Sequence, residues 1–260
     1  MTEAPLTQRY RATVSYDGTA YQGFQRQAGD TPTIQLALEQ AIAAVTGQAA
    51  SVVGAGRTDS GVHATGQVIA FDVDWRHGDR DLFRALNYVL PGDIALQDLR
   101  QHPGFHPRFD AVTRVYKYYI VQSPHRQPLL RDRAWHIWGD LDQDAMASAS
   151  MLILGEHDFG ALGKAPKGDN TVRLVMESHW TRRRAPYGWD WTYTIEANAF
   201  LQHMVRRLVG VLVEVGRGRL TQADFEALFR SAKVIGAIAL APPHGLVLDS
   251  VTYQPMSSTS

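Results

Sequence analysis

Apolar and polar residues alternate without a break over residues 9–16. Tyr10, Ala12, Val14 and Tyr16 point one way, and Arg11, Thr13 and Ser15 the other. A period of two with one apolar face is the pattern of a half-buried strand. Thr31-Pro32 then opens a helix, with Thr31 as N-cap and Pro32 at the first helical position. Ile34, Leu38, Ile42 and Val45 form its apolar stripe, and Gly47 suits its C-terminal stop. Strands are expected at 51–54 and 67–73, a helix near 81–89 stopped by Pro91-Gly92, and a strand near 94–101. The result is a β-α-β-β-α-β order, the split βαβ unit.

Pro103-Gly104 to Pro107 reads as a crossover, after which the pattern recurs. A long strand at 111–122 precedes an amphipathic helix at 142–154, and strands at 174–183 and 189–197 make a hairpin around Pro186-Tyr187-Gly188. A helix over 200–215 is apolar at Leu201, Met204, Val205, Leu208, Val211, Leu212 and Val215. Another helix spans 221–232, and a strand at 246–253 closes the chain. The expected fold is α+β: two ferredoxin-like (split βαβ) halves, residues 1–104 and 105–260, sharing an extended antiparallel sheet with helices on one face.

With no cysteine, disulfides, thiolate metal sites and thiol nucleophiles are excluded. Residues 1–8 are polar, and no stretch is apolar enough to span a membrane, so a cytoplasmic location is expected. The formal net charge is zero, which argues against a nonspecific nucleic-acid binder and requires any such affinity to come from a local basic face. Candidates are Arg182-Arg183-Arg184, Arg206-Arg207, Arg217 and Arg219, although such clusters are also common on solvated surfaces. Ten histidines include no HExxH pair, and His102 and His106 bracket Pro103-Gly104, so no metal site is expected.

The chemistry concentrates in the run Gly54-Ala55-Gly56-Arg57-Thr58-Asp59-Ser60-Gly61-Val62-His63-Ala64. Its glycines allow a sharp turn and a close approach of backbone to ligand. It is not a dinucleotide fingerprint, a P-loop or a nucleophile elbow, since the residues each requires are missing. Asp59 is therefore the candidate reactive group, the plain alternative being an Asp that caps its own turn. Burial disfavours a charged carboxylate and a neighbouring guanidinium restores it. Arg57, two residues away, and Arg206, on an otherwise apolar helix, could each serve. His63 lies close enough to orient the turn, and His203 precedes Arg206 by one helical turn. By periodicity alone Tyr116 and Tyr118 fill core on one face of their strand, and Leu246 is an apolar residue opening the last strand.

GAGRTDSGVHATGQV resembles the signature of the tRNA pseudouridine synthase A family. Other blocks match in the same order: Tyr16-Asp17-Gly18-Thr19 with Gln25-Arg26-Gln27, Arg84-Ala85-Leu86-Asn87 with Leu90-Pro91-Gly92-Asp93-Ile94, Phe105-His106-Pro107-Arg108-Phe109-Asp110, Arg114-Val115-Tyr116-Lys117-Tyr118, and Asn198-Ala199-Phe200 through Arg206. The resemblance implies a cleft between the halves and isomerisation of uridine to pseudouridine at positions 38 to 40 of the tRNA anticodon stem-loop, without a cofactor. It makes Asp59 the nucleophile, Arg206 its ion-pair partner and Tyr116 the ring that stacks on the uracil, with proton transfer by Tyr116 left open. Arg57, His63, His203, Arg207 and Leu246 would contact substrate, Leu246 as an apolar wall. It also implies a homodimer. The alternative is a non-catalytic tRNA-binding or chaperone protein of the same fold. Two departures stand out: Phe24 where the family usually has Trp, and an irregular stretch at 160–171.

Overall fold

The computed structural model describes residues 7–165, 168–231 and 240–254, and these form a mixed α+β fold with five α-helices. They divide into two compact units: residues up to Val112 together with those from Leu248 on, and residues from Thr113 to Val247.

In the first unit, β1 (Gln8–Tyr16) buries Tyr10, Ala12, Val14 and Tyr16, as its alternation requires. Helix α1 (Ile34–Thr46) begins later than expected. Thr33, not Thr31, is its N-cap and accepts from the Leu36 amide, because the amides of Ile34 and Gln35 are taken by the carbonyls of Gly23 and Phe24. Gly47 ends it with φ 71°, as read from the sequence. After the short β2 (Val53–Gly54) come β3 (His63–Val73), α2 (Asp79–Val89) and β4 (Ile94–Gln101). The sheet runs β4-β1-β3, with β2 also on β3, and each of these pairs is antiparallel. Leu38, Ala41 and Ile42 of α1 and Leu86 of α2 share a core with Ile69, Phe71 and Leu96, so both helices cover one face. The other face carries Ala55, Val68, Ala70 and Phe105.

In the second unit, β5 (Ala111–Gln122) is flanked by the short parallel β6 (Trp135–Ile137) and by the antiparallel β9 (Gly188–Ala197). Helix α3 (Gln143–Met151) is capped by Asp142, which accepts from the Ala145 amide, and it ends earlier than 154. Next, β7 (Gly155–Asp158) pairs with β8 (Val172–Ala185), which pairs in turn with β9 across a two-residue turn at Pro186-Tyr187. Helix α3 is tied to β8 where Ser178 Oγ donates to the Ser150 carbonyl at 2.8 Å. Helix α4 (Met204–Gly216) starts four residues after the expected 200. The Gln202 amide instead bonds the Lys164 carbonyl, and Phe200 packs on Tyr116. Helix α5 (Gln222–Arg230) opens with a capping box between Thr221 and Asp224, while its expected last residue, Ala232, lies outside the described residues.

The last strand, β10 (Leu246–Tyr253), returns from Leu248 onward to the first unit, beside β3. There Tyr253 donates to the Pro107 carbonyl and meets the Phe105 ring edge-on. Arg9 Nη1 donates to the Phe105 carbonyl at 3.0 Å. These contacts hold Phe105 and Pro107 to the first unit, whose first segment runs to Val112.

Candidate active site

Asp59 stands in the first unit on a turn that Val62 closes by donating to the Asp59 carbonyl at 3.1 Å, with Gly61 at φ 75°. The carboxylate-bearing residue is half-buried between an exposed Arg57 and a buried Thr58. Thr58 is the anchor of the turn. Its Oγ1 lies 2.8 Å from the Tyr16 hydroxyl, and Tyr16 is 3% exposed. Gln67 Nε2 donates to that hydroxyl at 3.5 Å, which directs the Tyr16 proton toward Thr58. Burial pushes the Tyr16 phenol up to about 12, opposed by its bonds to Thr58 and Gln67, so it remains a proton donor. Gln67 also clamps the Gly56 peptide from both sides, Nε2 donating to its carbonyl at 2.9 Å and Oε1 accepting from its amide at 3.3 Å. Each such bond contributes about 1 kcal/mol net, and more is lost when a buried partner is stranded.

The segment carrying Tyr16-Asp17-Gly18 lies against the far end of the turn. A Cβ on Gly18 would sit 2.0 Å from the Val62 carbonyl oxygen, so only glycine permits this approach. The buried His63 Nδ1 lies 3.0 Å from both the Gly18 amide and an Asp17 carboxylate oxygen. A backbone N–H can only donate, so Nδ1 accepts there and the ring proton resides on Nε2. The Asp17 oxygen is satisfied instead by the Thr19 amide at 3.1 Å and hydroxyl at 2.6 Å. His63 thus pins the Gly18 segment that packs against the turn. Arg57 is exposed, and its Nε donates to Gln25 at 3.0 Å rather than forming an ion pair with Asp59. Its guanidinium is held at the surface beside the turn.

A second constellation forms within the second unit. Tyr116 and Tyr118 share one buried face of β5, and the edge of Phe200 meets Tyr116 at 5.0 Å between centroids. Tyr118 donates to the Pro242 carbonyl at 2.8 Å, and its ring occupies the space where a Cβ on Gly245 would come within 2.6 Å. Burial holds the Tyr118 phenol well above its ordinary range, against the opposing charge of Arg206. Arg206 Nε donates to the Ala241 carbonyl at 2.8 Å, and the Ala241 amide bonds the Arg206 carbonyl, locking α4 to the segment that leads into Leu246. Leu246 is buried at the start of β10. Tyr118, Arg206 and the segment of Ala241 and Pro242 therefore meet, with Tyr116 two residues from Tyr118 on the same strand face and Leu246 four residues beyond Pro242.

Two further expected contact residues, His203 and Arg207, lie at the start of α4. His203 is not on a helical face with Arg206: it is the N-cap of α4, at φ 65°, and its carbonyl accepts from the Arg207 amide. Arg207 is half-buried and donates to the Leu162 carbonyl at 3.3 Å, fastening the loop before residue 165. Sequence reasoning missed Thr58, Gln67 and Phe200 and left Tyr16 and Tyr118 as plain core. The available signal was Gln67, a polar residue directly ahead of the apolar run Val68-Ile69-Ala70-Phe71; the structure buries it fully, which requires a partner. Among the described residues, no group of three His, Asp or Glu side chains is placed to hold a metal ion.

Residues 12–110 and 149–254 match the family described as tRNA pseudouridine synthase. The chain is 41% identical over 249 residues to tRNA pseudouridine synthase A of Methylacidiphilum infernorum, covering 95% of this chain and 96% of that protein. It is 40% identical over 248 residues to tRNA pseudouridine synthase A of Neisseria gonorrhoeae, covering 95% and 92%. The protein of the same name from Chloroflexus aurantiacus is 43% identical over 248 residues, covering 93% and 87%.

Proposed function

The chain belongs to the tRNA pseudouridine synthase family, and from that premise we propose that it isomerises uridines 38 to 40 of the tRNA anticodon stem-loop with Asp59 as nucleophile. It is an isomerase that acts on tRNA. In the reaction the C1′–N1 bond breaks and a C1′–C5 bond forms, while C5 gives up a proton and N1 gains one. The conversion is redox-neutral and adds no external atom, so its chemistry calls for no cofactor.

What carries this reading is the anchored turn. Thr58, Gln67, Gly56 and His63 fix the backbone on both sides of Asp59, a half-buried residue. A nucleophile must be held in one geometry, and rigid support of its backbone supplies that. A uridine in a stem is inaccessible until it is extruded, at a cost of a few kcal/mol. Tyr116 offers a ring for the extruded base, Leu246 an apolar wall, and Arg206 the cation that keeps the nucleophile ionised; these roles rest on the family likeness. The same likeness supports a homodimer and a cytoplasmic location. Among the described residues no helix is long and apolar enough to cross a membrane. The split βαβ reading of the halves is supported in the first unit by the antiparallel order β4-β1-β3, with the short β2 also paired to β3.

The test is tritium release from C5-labelled uridine in tRNA transcripts carrying uridine at only one of positions 38, 39 and 40, with and without a chelator. Release from these transcripts, unchanged by chelator, is expected. Release confined to uridines outside the anticodon arm, or abolished by chelator, would overturn the reading.

A further inference from the structure

Several arginines of the second unit are paired with carboxylates within the fold. Arg217 and Arg219 converge on Glu214 at 2.9 and 3.1 Å, and Arg230 pairs with Glu226. The hairpin of β8 and β9 differs. Its register sets Arg184 opposite Trp189 and Arg182 opposite Trp191, so these four side chains share one face near the tip. The Arg182 guanidinium carbon lies 4.6 Å from the Trp189 ring centroid and 5.5 Å from that of Trp191, and that of Arg184 lies 5.0 Å from Trp189. The intervening Arg183 points to the other face, where Asp190 takes it at 3.0 Å. Both Arg182 and Arg184 are exposed, and among the described residues neither has a carboxylate partner.

Stacking on an indole uses the flat face of a guanidinium and leaves its N–H donors in the plane, free to meet an anion. The platform is rigid beneath them: Trp191 is 1% exposed, and its Nε1 donates to Gln122 at 2.9 Å. The two arginines are therefore ordered before any ligand arrives, which lowers the entropic cost of binding. Residues two apart on a strand stand roughly 7 Å apart, a spacing that lets each guanidinium take a different phosphate of one strand. Because the Trp189 ring is already covered by guanidinium, the face suits phosphates better than an unstacked base.

We propose that Arg182 and Arg184, ordered on Trp189, form a phosphate-binding strip that grips the backbone of the tRNA substrate. This rests on the reading of the chain as a tRNA-modifying enzyme. The strip supplies affinity and carries no base specificity, since backbone contacts position a nucleic acid without reading its sequence.

The test compares wild type, Arg182→Ala/Arg184→Ala and Arg182→Lys/Arg184→Lys, measuring the affinity for a tRNA transcript as a function of salt and tritium release at saturating tRNA. The alanine pair should bind roughly tenfold or more weakly at about 0.1 M salt, with the slope of log affinity against log salt smaller by about 1 to 2. Its release rate at saturation should equal that of wild type, and the lysine pair should recover the slope. An unchanged salt slope in the alanine pair would overturn the proposal, as would weaker binding to anionic lipid vesicles with tRNA affinity unaltered. Absence of tritium release by wild type would instead count against the enzymatic reading, and the salt slopes would still decide the strip.

Discussion

The Tyr16–Thr58 contact tethers the Asp59 turn to β1. Tyr16→Phe keeps the ring and deletes one hydroxyl, the one 2.8 Å from Thr58 Oγ1. The lost bond is worth about 1 kcal/mol, and stranding the Thr58 hydroxyl, in a residue only 6% exposed, adds about 1–2 kcal/mol. The same holds in reverse for Thr58→Val, which strands the phenol. Each single change should therefore cost about 2–3 kcal/mol, a fall in Tm on the order of 5–10 °C for a chain of this length. The double variant replaces both partners with apolar groups of similar shape and should cost about as much as either alone, a coupling of about 2 kcal/mol. Urea unfolding of the four proteins measures that coupling. Tritium release on the same samples separates stability from function: the double variant should be no less stable than either single variant yet no faster, because the tether holding the turn is still gone. Additivity within about 0.5 kcal/mol, or full recovery of rate in the double variant, would refute the idea that this bond positions Asp59.

Three further outcomes are expected. Tyr116→Phe should retain most of the rate if the ring acts by stacking, and Tyr116→Ala should lose it; a large loss already in Tyr116→Phe would assign the hydroxyl a proton-transfer role. Arg206→Ala should abolish tritium release with tRNA binding largely kept, and near-normal turnover would remove Arg206 as partner of the nucleophile. Stability should decline at alkaline pH. Burial raises the folded-state Tyr16 from its ordinary 10.0 to about 12, so its contribution is whole below pH 10 and is lost as pH rises toward 12. Tyr118 and Tyr193 are raised by burial as well, and each tyrosine adds about 1.4 kcal/mol per pH unit in that window. Unfolding measured from pH 9 to 12 should show a shallower decline in Tyr16→Phe, and an identical slope would contradict the assignment.

Much of the architecture was legible because local pattern and tertiary demand agree. Strand β1 alternates since one face meets α1 and α2, and Gly47 stops α1 in the left-handed conformation that glycine favours. Where they disagree, tertiary contacts won. Thr31-Pro32 has the composition of a helix start, yet the Pro32 carbonyl is taken by Gln22 and the next amides by Gly23 and Phe24, which delays α1 to Ile34. Phe200 to Gln202 fit a helical stripe but are spent on Tyr116 and Lys164, which leaves His203 as a cap instead of a member of the helix. The site divides in the same way. Asp59 stands out because its turn is encoded within a few residues. Its support does not, since Tyr16 and Thr58 lie 42 positions apart and Tyr16 and Gln67 lie 51 apart. Nothing local marks a phenol on a core face as the anchor of a distant turn.

The most direct measurement is single-turnover tritium release by Asp59→Asn from C5-labelled tRNA, with tRNA affinity and thermal unfolding recorded on the same preparation. Asparagine keeps the size of the side chain and removes the anionic nucleophile. A folded, tRNA-binding variant that releases no tritium above background is the expected result. Release at a rate near that of wild type would contradict the assignment of the reaction to Asp59.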